Sequence, residues 1–174
     1  MQLSIRPFNT SDFDGMINYF LESSTAFLAG MGADKSKLPN SSVWKDRLLE
    51  DFRKPLTERS FFYVLWMLDG KGVGHSNLNK IQFGKEAFMH LHLWEPSKRQ
   101  QGIGLQFLSQ TLPLYFSSFE LPLLYCEPYA ENPAPNRILT KLGFQLEKTY
   151  RTTPGTINFE QEVNRYCLKK AHLG

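Results

Sequence analysis

Only two cysteines, Cys126 and Cys167, occur among the 174 residues, and neither sits in a Cys-x-x-Cys pair. This excludes a disulfide framework and offers no structural zinc site. Long apolar runs are missing too. The longest, Phe61 to Leu68, spans eight residues, against the ~20 that a membrane helix needs. The start, Met1-Gln2-Leu3-Ser4-Ile5-Arg6-Pro7, lacks the apolar stretch of a secretion signal. A soluble, cytoplasmic protein with no membrane partner is therefore expected. Neither sign of charge dominates: 20 Lys and Arg stand against 17 Asp and Glu, a net +3. That speaks against bulk nucleic-acid binding yet leaves room for one anionic ligand. No Gly-x-Ser-x-Gly occurs, so a serine hydrolase of that type is not indicated.

What the chain does contain is globular. Apolar residues make up 41% and charged residues 21%, and 14 Phe, 7 Tyr and 3 Trp supply both a core and a pocket. The length fits one domain over residues 1–174, at ~150 residues per domain. Leu3-Ser4-Ile5-Arg6 alternates as a strand ended by Pro7. Thr10 or Ser11 caps a helix from about Asp12, with Phe13, Ile17, Phe20, Leu21 and Phe27 on one face. Ser41 or Ser42 caps a second helix, from Val43 to about Lys54. Three strands follow, Phe61 to Leu68, Val73 to Ile81 and Ala87 to Trp94. A helix opens at Gly102 or Gly104 and runs toward Phe119, with Pro113 predicting a kink or an early end. Leu121 to Cys126 is a fifth strand, Pro133 to Leu142 a short helix capped by Gly143, and the chain closes with a hairpin. This order implies an α/β layered domain on a mixed sheet.

The segment Trp94-Glu95-Pro96-Ser97-Lys98-Arg99-Gln100-Gln101-Gly102-Ile103-Gly104 joins a strand to a helix. A helix start offers unpaired N–H groups and a positive dipole end, a natural phosphate site, and Lys98 and Arg99 add two cations. It is neither a dinucleotide fingerprint, since Phe107 stands where the third glycine would be, nor a P-loop. From this segment alone the glycines either hold a phosphate or merely close the turn.

A second segment bears on that choice. Arg99-Gln100-Gln101-Gly102-Ile103-Gly104 follows Trp94-Glu95-Pro96, and about thirty residues on come Asn132 and Lys141-Leu142-Gly143-Phe144. This pair of motifs resembles the GNAT superfamily of acyl-CoA-dependent N-acetyltransferases, over nearly the whole chain. The nearer resemblance is to the RimJ/RimL-like branch, whose members modify protein N-termini or small amines. Pro135 departs from the small Ala or Ser usual there.

The resemblance implies a three-layer fold: a central mixed, mostly antiparallel sheet of six to seven strands, flanked by about four helices, with splayed fourth and fifth strands. It implies acetyl-CoA as cosubstrate and no metal. The pyrophosphate would rest on the main chain of Gln101, Gly102, Ile103, Gly104 and Leu105, with Arg99 and Gln100 at the edge. The pantetheine arm would pair with Leu93 and Trp94, and Asn132 and Asn136 would help to hold it. The reaction would be direct attack of an amine on the thioester. His90 and His92 lie two apart on the fourth strand, so both face one side. They are either bases near neutral pKa or ordinary sheet-face residues. His90-x-His92 with His75 lacks an acidic partner at diagnostic spacing for a metal. Leu139 stands where the family often has a tyrosine acid. Tyr129 is then a packing or substrate-wall residue, or a substitute acid, and Cys126 an inert core residue.

The acceptor walls would be Phe27 to Trp44 and Arg151 to Phe159. Neither carries an acidic cluster, which favours a monoamine or a peptide α-amine over a polyamine. The protein would act as a monomer or homodimer. A non-catalytic acyl-CoA-binding or sensing module on the same fold is the alternative.

Overall fold

In the computed structural model, which describes residues 2–99 and 101–173, one seven-stranded sheet runs through the molecule. Its strands are β1 (Leu3–Pro7), β2 (Phe62–Leu68), β3 (Lys71–Gln82), β4 (Glu86–Leu93), β5 (Leu123–Cys126), β6 (Gln145–Thr152) and β7 (Gln161–Lys169). Their spatial order is β1-β2-β3-β4-β5-β7-β6. Every neighbouring pair is antiparallel except β4 and β5. That parallel pair has only three registered positions, Glu86↔Leu123, Ala87↔Leu124 and Phe88↔Tyr125. Beyond Phe88 the two strands separate, and Met89 to Leu93 keeps a strand neighbour only on its β3 side. The expected splay is therefore present.

Among the described residues the α-helices are α1 (Phe13–Glu22), α2 (Thr25–Gly30), α3 (Ser41–Phe52), α4 (Ile103–Ser118) and α5 (Pro133–Lys141). α1 to α3 cover one face of the sheet through Phe13, Met16, Ile17, Leu28 and Leu48. α4 covers the other through Ile103, Phe107, Leu108 and Leu112, with Leu139 of α5. On that side Trp66 lies flat on Phe107, 5.2 Å between centroids, and its indole N–H donates to Thr111 Oγ1 at 3.1 Å. The buried polar atom is thereby satisfied inside an apolar layer. No helix among the described residues is long and apolar enough to cross a membrane.

The helix boundaries differ from the sequence reading in instructive ways. Asn9, not Thr10 or Ser11, opens the first helical segment: its Oδ1 accepts from Ser11 N at 3.1 Å, while Asp12 Oδ2 accepts from Asn9 N at 2.7 Å. Asn40 likewise caps α3, in place of Ser41 or Ser42. The single helix expected through Phe27 is two helices, α1 and α2. Ser23 Oγ donates to Tyr19 O at 2.6 Å and Ser24 Oγ accepts from Phe27 N at 3.1 Å, so a serine pair takes over the main-chain bonds at the break. The break takes Phe27 out of α1 and sets it under Arg99, whose guanidinium carbon is 4.1 Å from the ring centre. α4 also differs. It runs through Pro113 to Ser118 without ending early.

Candidate active site

Where β4 and β5 part, a cleft of about 800 Å³ opens between the exposed edge of β4 and α5. Lys98, Arg99 and Gly102 line one end, Leu91 and Leu93 one side, and Asn132 and Ile138 the other. Gly102 is the residue before α4 and has φ +75°, a left-handed conformation that side chains resist. Space around it is open, with no atom within 4 Å of where a Cβ would stand. The main-chain N–H groups of Ile103, Gly104 and Leu105 belong to the first turn of α4 and have no partner within the helix. The Ile103 side chain is buried in the core, so that residue meets the cleft through its main chain. Gln101 is exposed, and its amide spans the turn by donating to Ser97 O at 2.6 Å. Gln100 lies outside the described residues.

The edge of β4 is set by its pairing with β3. Trp94 N donates to Val73 O at 2.8 Å, so that amide points away from the cleft. By strand alternation the main-chain groups of Leu93 and Leu91 point toward it. This corrects the place expected for Trp94. Its N–H is taken, and its indole N–H donates to His75 Nδ1 at 2.8 Å on the α1 side. Leu91, not singled out from the sequence, lines the cleft instead. Arg99 folds over this edge, donating through Nε and Nη2 to Leu93 O at 3.2 and 3.1 Å.

The two asparagines part company. Asn132 precedes α5, makes no capping bond with its side chain and lines the cleft. Asn136 does not line it, which corrects its expected contact with the ligand. Its Nδ2 donates to Asn132 O at 2.7 Å and Tyr129 O at 3.1 Å, and its Oδ1 accepts from Asn164 at 2.8 Å. Asn136 therefore pins the loop that presents Asn132.

A smaller cavity of about 80 Å³ adjoins the cleft and shares Met31, Leu91, His92, Asn132 and Pro135 with it. His90 and His92 both line it, on one face of β4 as the two-residue period requires. Each is half-buried, with one buried ring nitrogen, His90 Nε2 and His92 Nδ1, that has no hydrogen-bond partner. His92 stacks on His75 at 4.9 Å and meets Phe20 edge-on at 5.0 Å. Of the two readings open for them, this setting favours the sheet-face one. Burial, then the nearby Lys80, pushes His90 down to about 4. Burial, then His90, pushes His92 down to about 3. His75 is 1% exposed and is driven well below the ordinary value by burial and its two neighbours. Among the described residues no group of three or more His, Cys, Asp and Glu is placed to hold a metal ion.

Leu139 is fully buried in the core and offers no proton. Tyr129 lines the small cavity, but its hydroxyl donates to Glu131 at 3.0 Å and its ring meets Phe159 edge-on, as a wall residue would. Cys126 is buried, and burial pushes its thiol up. Glu127 escaped the sequence reading although it follows β5 directly. Its side chain is 4% exposed, it accepts from the Tyr150 hydroxyl, and Arg165 lies 3.7 Å away. Its residue type could have flagged it. Its two partners, from β6 and β7, could not be foreseen.

Residues 2–145 match the family described as acetyltransferase (GNAT) domain. No curated protein sequence matches the chain significantly. Among solved structures, spermidine N-acetyltransferase from Vibrio cholerae, in complex with CoA and spermine, has a TM-score of 0.81 at 15% identity, over 99% of this chain and 98% of that one. Ribosomal-protein-S5-alanine acetyltransferase from Vibrio fischeri gives 0.78 at 19% identity, over 97% and 93%. RimL, a ribosomal L7/L12 α-N-protein acetyltransferase in complex with CoA, gives 0.78 at 18% identity, over 97% and 94%. At these identities the likeness is one of fold. The family match is broader in meaning, since it takes in every element from β1 to α5 and the whole turn at Gly102. The chain belongs to the GNAT acetyltransferase family.

Proposed function

We propose that the protein transfers the acetyl group of acetyl-CoA to a primary amine, a small molecule or a peptide N-terminus, by direct attack. One observation carries the reading: a cation-flanked helix start leads along the β4 edge at Leu91 and Leu93 to a smaller adjoining cavity lined by His90 and His92. The site fits acetyl-CoA in charge and in hydrogen bonding. Lys98, Arg99 and the N–H groups of Ile103 to Leu105 suit a pyrophosphate. The edge at Leu91 and Leu93 suits the amides of a pantetheine arm, in the manner of an added strand. Asn132 adds a side-chain amide from the opposite wall. Acetyl-CoA supplies an activated acyl group; everything else falls to this chain.

Leu91 N–H, on the free edge, is the donor we assign to the carbonyl oxygen as it gains charge. Imidazoles with values near 4 and 3 are too weak to take a proton from an ammonium of pKa ~8–10. We therefore assign His90 and His92 to the wall of the acceptor cavity; the ammonium proton leaves to solvent beforehand, the neutral amine attacks, the C–S bond breaks, and the departing CoA sulfur takes up the proton that the nitrogen sheds on becoming an amide. The acceptor kcat/KM then climbs about tenfold per pH unit up to the pKa of the acceptor itself. A thiol-release assay from pH 5.5 to 9.5 checks this. A break near 6.5, unchanged between acceptors of different pKa, would sink the assignment. Leu139 is the observation that favours the non-catalytic alternative. An acetyl-CoA thermal shift without thiol release from any amine would establish that alternative instead.

A further inference from the structure

Arg99 occupies the part of the strand edge that a pantetheine arm would need. It reaches back from the turn before α4 and donates to Leu93 O through both Nε and Nη2, at 3.2 and 3.1 Å. Nη2 also lies 3.4 Å from Trp94 O. A carbonyl oxygen has two lone pairs, so Leu93 O is fully taken. Leu93 lies on the length of β4 that has no strand partner on the β5 side, where an amide of an added strand would use that oxygen. Arg99 and the arm therefore compete for one acceptor.

The other side of the guanidinium is held as well. Its carbon stands 4.1 Å from the centre of the Phe27 ring, which α2 brings to the cleft. Arg99 thus spans the groove from the β4 edge to α2. Among the described residues no carboxylate pairs with it, so its charge is met by carbonyl dipoles and a ring face.

Such a position yields to one kind of ligand and resists another. A phosphate binds a guanidinium through two charge-assisted bonds, stronger than bonds to neutral carbonyls. The free N–H groups at the start of α4 follow the same turn, so a swing of the Arg99 side chain brings it to a pyrophosphate held there. A thioester on a bare pantetheine arm meets an occupied oxygen and offers the guanidinium nothing in exchange. A ligand moves such an equilibrium only by its preference for one of the two positions.

We infer that Arg99 is a donor-selecting gate: it closes the pantetheine groove to thioesters that lack a pyrophosphate and is drawn off Leu93 by those that carry one. The inference rests on the acetyl-CoA reading above and names the class of donor that is refused.

The test measures dissociation constants of S-acetylpantetheine, by ligand-observed NMR, and of acetyl-CoA, by isothermal titration. A groove closed about nine-tenths of the time weakens an arm-only ligand about tenfold. Arg99→Met keeps the stem and removes the guanidinium. It should tighten S-acetylpantetheine by about three- to tenfold and weaken acetyl-CoA by about tenfold. The opposite signs are what a plain binding residue, or a residue that only supports the turn, would not produce. Phe27→Leu loosens the closed position and keeps the guanidinium, so it should tighten both ligands by about two- to threefold. S-acetylpantetheine bound no tighter by a folded Arg99→Met protein overturns the gate while the cofactor site stands. Were that variant not to fold, Phe27→Leu decides alone, and no gain for S-acetylpantetheine overturns the gate. A wild-type protein that does not bind acetyl-CoA overturns the acetyl-CoA reading and the gate with it.

Discussion

Replacing Gly102 by glutamate lowers acetyl-CoA affinity about a hundredfold and removes its thermal shift. Gly102 immediately precedes α4, in open space beside Lys98 and Arg99. Taking a separation of roughly 6 Å between a carboxylate there and a pyrophosphate held at the helix start sets the scale of the repulsion. At an effective dielectric of about 20, that repulsion is about 3 kcal/mol, or two orders of magnitude in affinity. Strain must be separated from charge, because φ is +75° and any side chain costs about 1–2 kcal/mol of stability in the left-handed region. Gly102→Ala carries the strain without the charge. It should lower the melting temperature by a few degrees and leave the affinity within a fewfold of wild type. Isothermal titration of both variants decides the matter. Equal affinities for the two would remove the pyrophosphate from this turn.

The second large effect is on stability against acid. His90 and His92 titrate near 4 and 3 in the folded protein, below the 6.5 of an unfolded chain. In the window between, the unfolded chain binds the protons that the folded chain refuses. Their contribution is present above pH 6.5 and is lost as pH falls toward the folded values. Between pH 7 and pH 5 each withdraws about 2 kcal/mol, and His75, also depressed, acts in the same direction. The melting temperature should therefore fall by on the order of ten degrees over those two pH units. His92→Phe keeps an aromatic ring against His75 and Phe20 while removing one titration, so its melting temperature should fall less over the same range. A wild-type curve flat between pH 7 and pH 5 would mean that these rings are hydrated.

Local chemistry was legible in the sequence, and pairing was not. The turn from Arg99 to Gly104 declares itself by residue type, and so does the short helix between Asn132 and Gly143. The strands and their order follow from alternation and turn residues, and the splay was expected from family resemblance. The missed caps at Asn9 and Asn40 and the break at Ser23 are local, but the failures at the site lie where a distant partner decides. Trp94 looked available on the strand edge until Val73 claimed its amide. Asn136 looked like a ligand contact until Asn164, 28 residues away, engaged it. Gln161, buried on the small cavity, carried no mark at all, because its bond to the Gly32 carbonyl spans 129 residues. The choice between base and sheet-face residue for the histidines stayed open in the sequence for the same reason. Spacing puts His90 and His92 on one face, but only the packing of α1 across that face settles how dry they are.

The three-position junction between β4 and β5 has a consequence for assembly. On one side of it β2, β3 and β4 form a meander closed by short turns, and on the other β5 meets β7 only after more than thirty intervening residues. Loop-closure entropy favours the meander forming first and leaves the seam for late in folding. The cleft does not exist until that seam closes. A molecule lying along it touches β4 on one side and Asn132 and α5, which follow β5 in the chain, on the other, so it acts as a splint across the joint with the fewest strand pairs. Hydrogen exchange should then slow most at Leu123–Cys126 when acetyl-CoA is added, more than in the meander strands.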